Sequence, residues 1–213
     1  MSQTIAVIDY GMGNLRSVSK AVEQVADTDD NVLVTDDPRL ILSADRVVFP
    51  GQGAARDCMD AISEHHLNRA VLDAAHSKPF LGICMGLQVL METSEENGGT
   101  GLLGLIPGKV RRFPADMEIE SQRLKIPQMG WNRVQQTRPH PLWEGIPDGS
   151  RFYFVHSYYI DPREGDLVAG TTDYGIPFTS VIARDNLFAA QFHPEKSAVA
   201  GLRLLRNFIH WDV

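Results

Sequence analysis

A cysteine lies between two glycines in the segment 82–86 (Gly-Ile-Cys-Met-Gly), directly after an apolar run and before a helical pattern. A tight strand-to-helix turn needs small residues two positions before and after a nucleophile, so this is a nucleophile elbow with cysteine in place of serine. Backbone N–H groups at the start of the next helix favour a thiolate at Cys84. The alternative is a small, buried, unreactive cysteine, and the flanking glycines alone leave the two interpretations about equal.

A histidine and a glutamate end the last apolar run, in the segment 191–195 (Gln-Phe-His-Pro-Glu). In extended backbone the side chains of His193 and Glu195 point to the same face, because side chains alternate with a period of two. A neutral imidazole can take the thiol proton, and a carboxylate beside it fixes the tautomer and stabilises the imidazolium. Together with the cysteine elbow, the pair predicts a Cys84–His193–Glu195 catalytic triad.

A glycine-rich turn, 50–53 (Pro-Gly-Gln-Gly), follows a third apolar run. Glycines allow backbone N–H groups to point into a site and to stabilise an oxyanion. An ordinary strand-to-helix turn explains the same residues, but α/β sheets place their sites at the carboxyl ends of parallel strands. The turn therefore predicts an oxyanion hole built from the backbone of Gln52, Gly53 and Met85.

The first half of the chain contains the elements that must position these residues. Continuous apolar runs predict buried strands at 5–8, 32–34, 47–49 and 80–83. Helical spacing of apolar residues predicts helices at 15–25, 53–75 and 85–91. Buried strands separated by helices indicate a parallel sheet that is covered on both faces.

The second half changes character after a glycine-rich stretch, 97–108, that predicts a loop with at most one short strand. Strand-like runs follow at 109–113, 131–134, 151–155, 167–171, 180–184 and 187–191. A closing amphipathic helix carries Leu202, Leu205, Phe208 and Ile209. We therefore predict one α/β domain over 1–213, with a mostly parallel open sheet, helices on both faces, and antiparallel strands extending the sheet in the C-terminal half.

Composition and charge argue against several classes of function. The 20 Lys and Arg residues against 27 Asp and Glu residues give a net charge of −7, so no basic surface predicts nucleic-acid binding. No apolar run approaches the roughly 20 residues of a membrane helix, so we expect no membrane association. The N-terminus lacks the cationic region of a signal peptide. Two cysteines, Cys58 and Cys84, make no disulfide framework, so a reduced, cytoplasmic protein is expected.

Cofactor and metal patterns are missing from the sequence. Gly11 and Gly13 follow the first strand, but Arg16 stands where a dinucleotide-binding turn needs its third glycine. The histidines show no metal-ligand spacing, and no phosphate-binding loop is present. We therefore expect neither a cofactor nor a metal, and we interpret Cys58 as structural.

Two segments, 79–88 (PFLGICMGLQ) and 192–195 (FHPE), together resemble the class I, or triad, glutamine amidotransferases. The resemblance extends from Asp9 to Phe208. It implies a flavodoxin-like α/β fold, hydrolysis of the glutamine side-chain amide through a thioester, and delivery of ammonia to a synthase. It also implies a group of glutamine-binding residues: Gly51, Gln88, Ser157 and Tyr158.

Three further segments, 8–18 (IDYGMGNLRSV), 127–132 (PQMGWN) and 153–159 (YFVHSYY), resemble the glutaminase subunits of imidazole glycerol phosphate synthase, an enzyme of histidine biosynthesis. Gln52 stands where those subunits usually have a small apolar residue, and Gln128 where histidine is common. The resemblance implies a heterodimer with a cyclase subunit that is a β/α barrel. This partner would receive ammonia through an internal passage and make imidazole glycerol phosphate and AICAR.

The same resemblance implies that Asn14, Trp131 and Lys196 lie at the partner interface or at the ammonia entrance. Core packing is the alternative for Trp131.

Two other classes of function stay open at this point. Another cysteine hydrolase of the same fold, such as a γ-glutamyl hydrolase, would keep Cys84 and His193 but would not need Asn14 or the segment 128–131. An inactive, amidotransferase-like regulatory protein would be expected to have lost a triad residue, and all three are present.

Overall fold

The protein is described by a computed structural model that covers residues 2–119 and 122–213. Six helices lie in these ranges: α1 (Leu15–Val25), α2 (Pro38–Ser43), α3 (Ala55–Glu64), α4 (Asn68–Ser77), α5 (Met85–Gln88) and α6 (Ala198–Ile209). Strands β1–β8 of the same ranges are Thr4–Ile8, Asn31–Thr35, Arg46–Gly51, Phe80–Cys84, Met91–Ser94, Thr100–Gly101, Ile106–Arg112 and Glu118–Ile119. Strands β9–β16 are Gln122–Arg123, Gln128–Arg133, Gln135–Gln136, Arg151–His156, Tyr158–Pro162, Val168–Asp173, Pro177–Arg184 and Leu187–Ala190.

The centre of the main sheet is parallel. Its first five strands follow the order β2-β1-β3-β4-β16, and each pair among them is parallel. This is the 2-1-3-4-5 order of flavodoxin-like folds, which bind ligands outside the carboxyl ends of their strands. Strands β15, β14 and β13 then continue the sheet in antiparallel pairs. The predicted α/β class, with its antiparallel extension in the C-terminal half, is therefore confirmed.

Alternate residues of each central strand enter two separate cores, one on each face of the sheet. Ile5 and Val7 of β1 pack in the core that includes α1 and α6. Ala6 and Ile8 pack in the opposite core with α3 and α4. Both faces of β1 are thus buried under helices, which explains why its sequence reads as a continuous apolar run.

The prediction of one helical region over 53–75 is wrong, because the chain makes two helices there. Helix α3 ends at Glu64, and His66 adopts a left-handed conformation with φ of 57°. The N–H of His66 then donates to Ser63 O and that of Leu67 to Ile62 O, a Schellman ending that satisfies the last carbonyls. This ending usually has glycine in the left-handed position, so a histidine there gave no stop signal.

The helix predicted over 85–91 is also too long. Helix α5 ends at Gln88, and Met91–Ser94 instead forms β5, which pairs in parallel with β7. The predicted loop 97–108 contains β6 and the start of β7, and neither α2 nor β13 was predicted from the sequence. No helix in 2–119 or 122–213 is long and apolar enough to cross a membrane.

Candidate active site

Cys84 lies at the junction of β4 and α5, at the carboxyl edge of the parallel sheet. Its φ of 54° and ψ of −106° are strained for a residue with a side chain, as expected of a nucleophile elbow. A Cβ on Gly86 would overlap the carbonyl oxygen of Phe49, and one on Gly82 would lie 2.9 Å from Ala189 Cβ. Both glycines are therefore needed for the close approach of the turn to its neighbouring strands.

The helix that follows Cys84 is shorter than the sequence predicted. Helix α5 has only 4 residues, so few peptide dipoles are aligned behind the sulfur. Its contribution to a thiolate is limited to nearby backbone N–H groups, and other donors must supply the rest.

His193 and Glu195 form a buried pair after β16. His193 Nδ1 lies 2.9 Å from Glu195 Oε1, and the two side chains are 2% and 0% exposed. Since the carboxylate accepts at Nδ1, the other ring nitrogen, Nε2, is free to act as the base. Burial lowers the pKa of His193, but the Cys84 sulfur and the Glu195 carboxylate outweigh that effect, and the net pKa is raised.

Backbone contacts hold the histidine in place. His193 N donates to Tyr153 O at 2.9 Å, which attaches it to β12. The Ser197 hydroxyl donates to His193 O at 2.6 Å and accepts from Tyr153 N at 2.9 Å. The proline between the triad residues begins a short 3₁₀ turn, Pro194–Lys196, so His193 and Glu195 are brought together by a turn rather than by strand alternation.

The predicted oxyanion turn packs against the elbow. Gly51 pairs with Cys84 in the sheet, and a Cβ there would overlap the Tyr10 hydroxyl. Gly53 has φ of 104°, a conformation that favours glycine. The Gln52 carbonyl accepts from the Cys58 thiol at 3.4 Å. The turn therefore lies at the edge of the site, supported from below by Tyr10 and Cys58.

A cavity of about 380 Å³ opens at this edge of the sheet. Nine of the predicted site residues line it: Gln52, Gly53, Cys84, Met85, Gln88, Ser157, Tyr158, His193 and Lys196. Four others do not: Glu195 lies behind His193, Gly51 lies beneath Met85, and Asn14 and Trp131 lie outside the lining. The structure thus brings most of the predicted residues together around one space.

Glu96 lines the same cavity, and it was not predicted from the sequence. Its Oε2 accepts from Ala55 N, the first residue of α3, at 2.6 Å. The residue lies directly before the glycine-rich stretch 97–108 and 41 positions from its partner, so no local signal could have selected it. Its carboxylate places a negative charge on a cavity wall that also carries Lys196.

The carbonyl of Tyr158 is the centre of a buried hydrogen-bond network. Gln88 Nε2 donates to it at 3.1 Å, and His156 Nδ1 lies 2.7 Å from it. Burial lowers the pKa of His156 to about 4, so the ring is neutral near pH 7 and its single N–H donates to Tyr158 O. His156 Nε2 must then accept, and Gln128 Oε1 lies 2.9 Å from it. An amide oxygen cannot donate, so the neutral ring requires the Gln128 amide in the flipped orientation, with its NH₂ group towards Nε2.

A two-stranded ribbon of β10 and β12 lies beside the cavity mouth. Trp131 and Met129 on β10 are 50% and 64% exposed, so core packing, the alternative for Trp131, is wrong. The Trp131 ring packs edge-on against Tyr153, with ring centroids 6.2 Å apart, and Lys196 Nζ lies 6.0 Å from the same tyrosine ring. These contacts connect the exposed ribbon with the cavity wall at Lys196.

No group of three or more His, Cys, Asp or Glu side chains in the described part of the chain is arranged to hold a metal ion. Both cysteines are free thiols.

Comparison with known proteins agrees with this geometry. The family profile for glutamine amidotransferase class-I matches residues 6–211. Imidazole glycerol phosphate synthase subunit HisH of Thiobacillus denitrificans is 59% identical over 100% of this chain and 93% of its own length. The subunit of the same name from Dechloromonas aromatica is 59% identical over 99% of this chain and 97% of its own.

Solved structures show the same fold at low identity. The structure of PurLQS from Thermotoga maritima contains a chain that superposes with a TM-score of 0.68 at 15% identity, over 99% of this chain and 99% of its own. The chain therefore belongs to the class I glutamine amidotransferase family, and within it to the HisH subunits of imidazole glycerol phosphate synthase.

Proposed function

We propose that this chain is the glutaminase subunit that supplies ammonia within imidazole glycerol phosphate synthase, with Cys84 as its nucleophile. The observation that carries the proposal is the 2.9 Å bond between His193 and Glu195 beside a cysteine in a strained elbow. A base with a buried orienting carboxylate and an adjacent thiol is the arrangement that nucleophilic acyl transfer requires.

The reaction divides into two acyl transfers. His193 Nε2 takes the proton of the Cys84 thiol, and the thiolate attacks the amide carbon of glutamine. Backbone N–H groups of Met85 and of the Gln52–Gly53 turn stabilise the oxyanion, and His193 returns the proton to the departing ammonia. A water that His193 deprotonates then attacks the thioester, which releases glutamate and restores the thiol.

The cavity wall offers groups for the amino-acid end of the substrate. The Glu96 carboxylate supplies the negative charge that an α-ammonium group needs. Gln88 Oε1 is buried and has no hydrogen-bond partner among the described residues, so it is a free acceptor beside Cys84. Ser157 and Tyr158, which line the cavity, complete the proposed substrate site, and Gly51 supports it from beneath Met85.

The cyclase subunit, which is a β/α barrel, is the proposed partner in a heterodimer. Trp131 and Met129 present apolar surface on the exposed face of β10, next to the cavity that would release ammonia. Exposed aromatic and methionine side chains are enriched in protein interfaces. We place Asn14, Trp131 and Lys196 at this interface or at the ammonia entrance, and we propose that residues 1–213 work there as one domain in the cytoplasm.

The test uses the full chain together with the cyclase subunit. A glutamine analogue with an electrophilic carbon should label Cys84 and leave Cys58 intact, as read by peptide mass mapping. Glutamine hydrolysis should depend on Cys84 and rise when the cyclase is added.

A variant of the nucleophile distinguishes the activity of this chain from that of the cyclase subunit. The Cys84→Ser complex should lose glutamine-dependent synthesis while still using added ammonium salts, because the cyclase site lies on the other chain. Failure with ammonium salts would contradict this division of labour. Label mainly on Cys58, or faster hydrolysis of a γ-glutamyl peptide than of glutamine, would contradict the assigned nucleophile or substrate.

A further inference from the structure

Gln191 is a fully buried side chain that contacts the catalytic sulfur. It is 0% exposed and lies one position after β16. Its Nε2 lies 3.6 Å from Cys84 Sγ, and its Oε1 accepts from Gln88 Nε2 at 3.0 Å. Burying an amide without hydrogen bonds costs free energy, and these two contacts offset that cost for Gln191.

The orientation of the Gln191 amide can be deduced from the backbone carbonyl of Tyr158, through the Gln88 side chain that contacts both. The carbonyl of Tyr158 can only accept, so the Gln88 atom 3.1 Å from it must be the NH₂ nitrogen. That same nitrogen also contacts Gln191, so the Gln191 atom facing Gln88 must be the oxygen. The Gln191 NH₂ group therefore faces Cys84, and the sulfur is the acceptor of this hydrogen bond.

We infer that Gln191 is a positioning residue for the reaction, which stabilises the Cys84 thiolate by donating an N–H to its sulfur. The inference rests on the proposed function of Cys84 as nucleophile. A thiolate is a far better acceptor than a thiol or a thioester sulfur, so this bond favours the deprotonated state. Helix α5 has only 4 residues and aligns few peptide dipoles behind the sulfur, so a further hydrogen-bond donor should add to the stability of the thiolate.

Gln191 acts at the steps in which the Cys84 sulfur carries negative charge. The proton leaves Cys84 for His193 Nε2, the electron pair stays on the sulfur, and Gln191 neither gains nor loses a proton. The same N–H stabilises the sulfur again when water attack releases it from the thioester. Gln191 thus raises the fraction of enzyme with a reactive thiolate, although its own side chain does not line the cavity.

Two replacements separate this role from simple packing. Gln191→Met keeps the length of the side chain but removes both polar contacts. Gln191→Glu keeps an oxygen for Gln88 and removes the donor to the sulfur, and it places a like charge beside the thiolate. The control is Ser180→Ala, because Ser180 is also 0% exposed and does not line the cavity. Its hydroxyl accepts from that of Thr172 at 2.9 Å, and alanine keeps the backbone carbonyl that accepts from Gln191 N at 2.8 Å.

The measurement is the pH dependence of Cys84 alkylation by iodoacetamide in the full chain, with each cysteine followed by peptide mapping. Cys58 serves as an internal reference, because burial raises the pKa of its thiol to about 11. Loss of a hydrogen bond to a charged group should slow Cys84 alkylation at pH 7 about tenfold in Gln191→Met. Gln191→Glu should be slower still, and Ser180→Ala should match the wild type.

Steady-state kinetics of the complex with the cyclase subunit provide a second measurement. We expect kcat for glutamine to fall in both Gln191 variants. KM should change little in Gln191→Glu, which keeps the oxygen that accepts from Gln88 and so leaves the proposed glutamine site in place. An unchanged alkylation profile in Gln191→Glu, with only a lower melting temperature, would overturn the inference and make Gln191 structural. Absence of Cys84 labelling in the wild type would instead contradict the proposed function itself.

Discussion

Cys84 and Cys58 are two buried free thiols in one small protein, and the nearest hydrogen-bond partner of each sulfur differs: an acceptor for Cys58 and a donor for Cys84. Their side chains are 6% and 0% exposed. Cys58 lies inside α3, where its sulfur donates to the Gln52 carbonyl at 3.4 Å and accepts a longer contact from the Tyr10 hydroxyl at 3.9 Å. A carbonyl can only accept, so this contact needs the protonated thiol.

The Cys84 sulfur accepts a hydrogen bond from Gln191 and also faces a base. That base is His193, whose pKa is raised by the Cys84 sulfur and by Glu195, and it can take the thiol proton. Around Cys58, burial dominates and raises the pKa of the thiol to about 11. The comparison teaches that burial alone does not decide the reactivity of a cysteine, because both thiols are buried but a base faces the sulfur of Cys84.

Removing the base should have the largest effect on this contrast. We expect His193→Ala to lower kcat/KM for glutamine nearly as much as loss of the nucleophile, and Glu195→Gln to lower it less. In a serine-protease triad, single replacements reduce kcat by about 10⁴-fold to 10⁶-fold, with the smaller loss at the orienting carboxylate.

The measurement is steady-state glutaminase activity in the complex, together with Cys84 alkylation at pH 7. Without His193, alkylation of Cys84 should slow towards that of Cys58. Small and equal losses at both positions would indicate a mechanism in which the cysteine acts without a triad.

The same contrast explains how much of the site could be predicted from the sequence. Cys84, His193 and Glu195 are predictable because each lies in a short segment whose local pattern demands a particular backbone shape. Gly82 and Gly86 mark the elbow, and the proline at 194 marks the end of pairing. The central strands are predictable for a similar reason, because burial on both faces leaves a continuous apolar run.

The missed features depend on contacts between distant parts of the chain. Glu96 meets Ala55 across 41 positions, and Gln88 meets Gln191 across 103. The role of Gln191 is not visible in its motif, because its partners are set only when β4 and β16 pair. The break between α3 and α4 has no sequence signal because His66 takes the left-handed position that a glycine would have marked.

A smaller effect is expected from changing the elbow that presents Cys84. A Cβ in Gly86→Ala would overlap the Phe49 carbonyl, so the backbone must shift, which typically costs about 1–3 kcal/mol of stability. The shift should also lower glutamine turnover while leaving Cys58 alkylation unchanged. The control is Gly101→Ala, where no atom lies within 4 Å of the new Cβ and φ is not positive. Urea unfolding and kcat are the measurements, and equal behaviour of the two variants would contradict the close-packed elbow.

The smallest effect is expected at Cys58 itself. Cys58→Ala removes a buried thiol that contacts Tyr10 at 3.9 Å and the Gln52 carbonyl at 3.4 Å, so the free energy of unfolding should fall by about 1 kcal/mol. Glutamine turnover in the complex should change little, because Cys58 does not line the cavity. Cys58→Ser should recover part of the stability, since a hydroxyl can also donate to the carbonyl. A large loss of turnover at nearly unchanged stability would show that Cys58 supports the oxyanion turn through Gln52. Both cysteines would then contribute to glutamine hydrolysis, and the contrast between a reactive and a structural thiol would no longer hold.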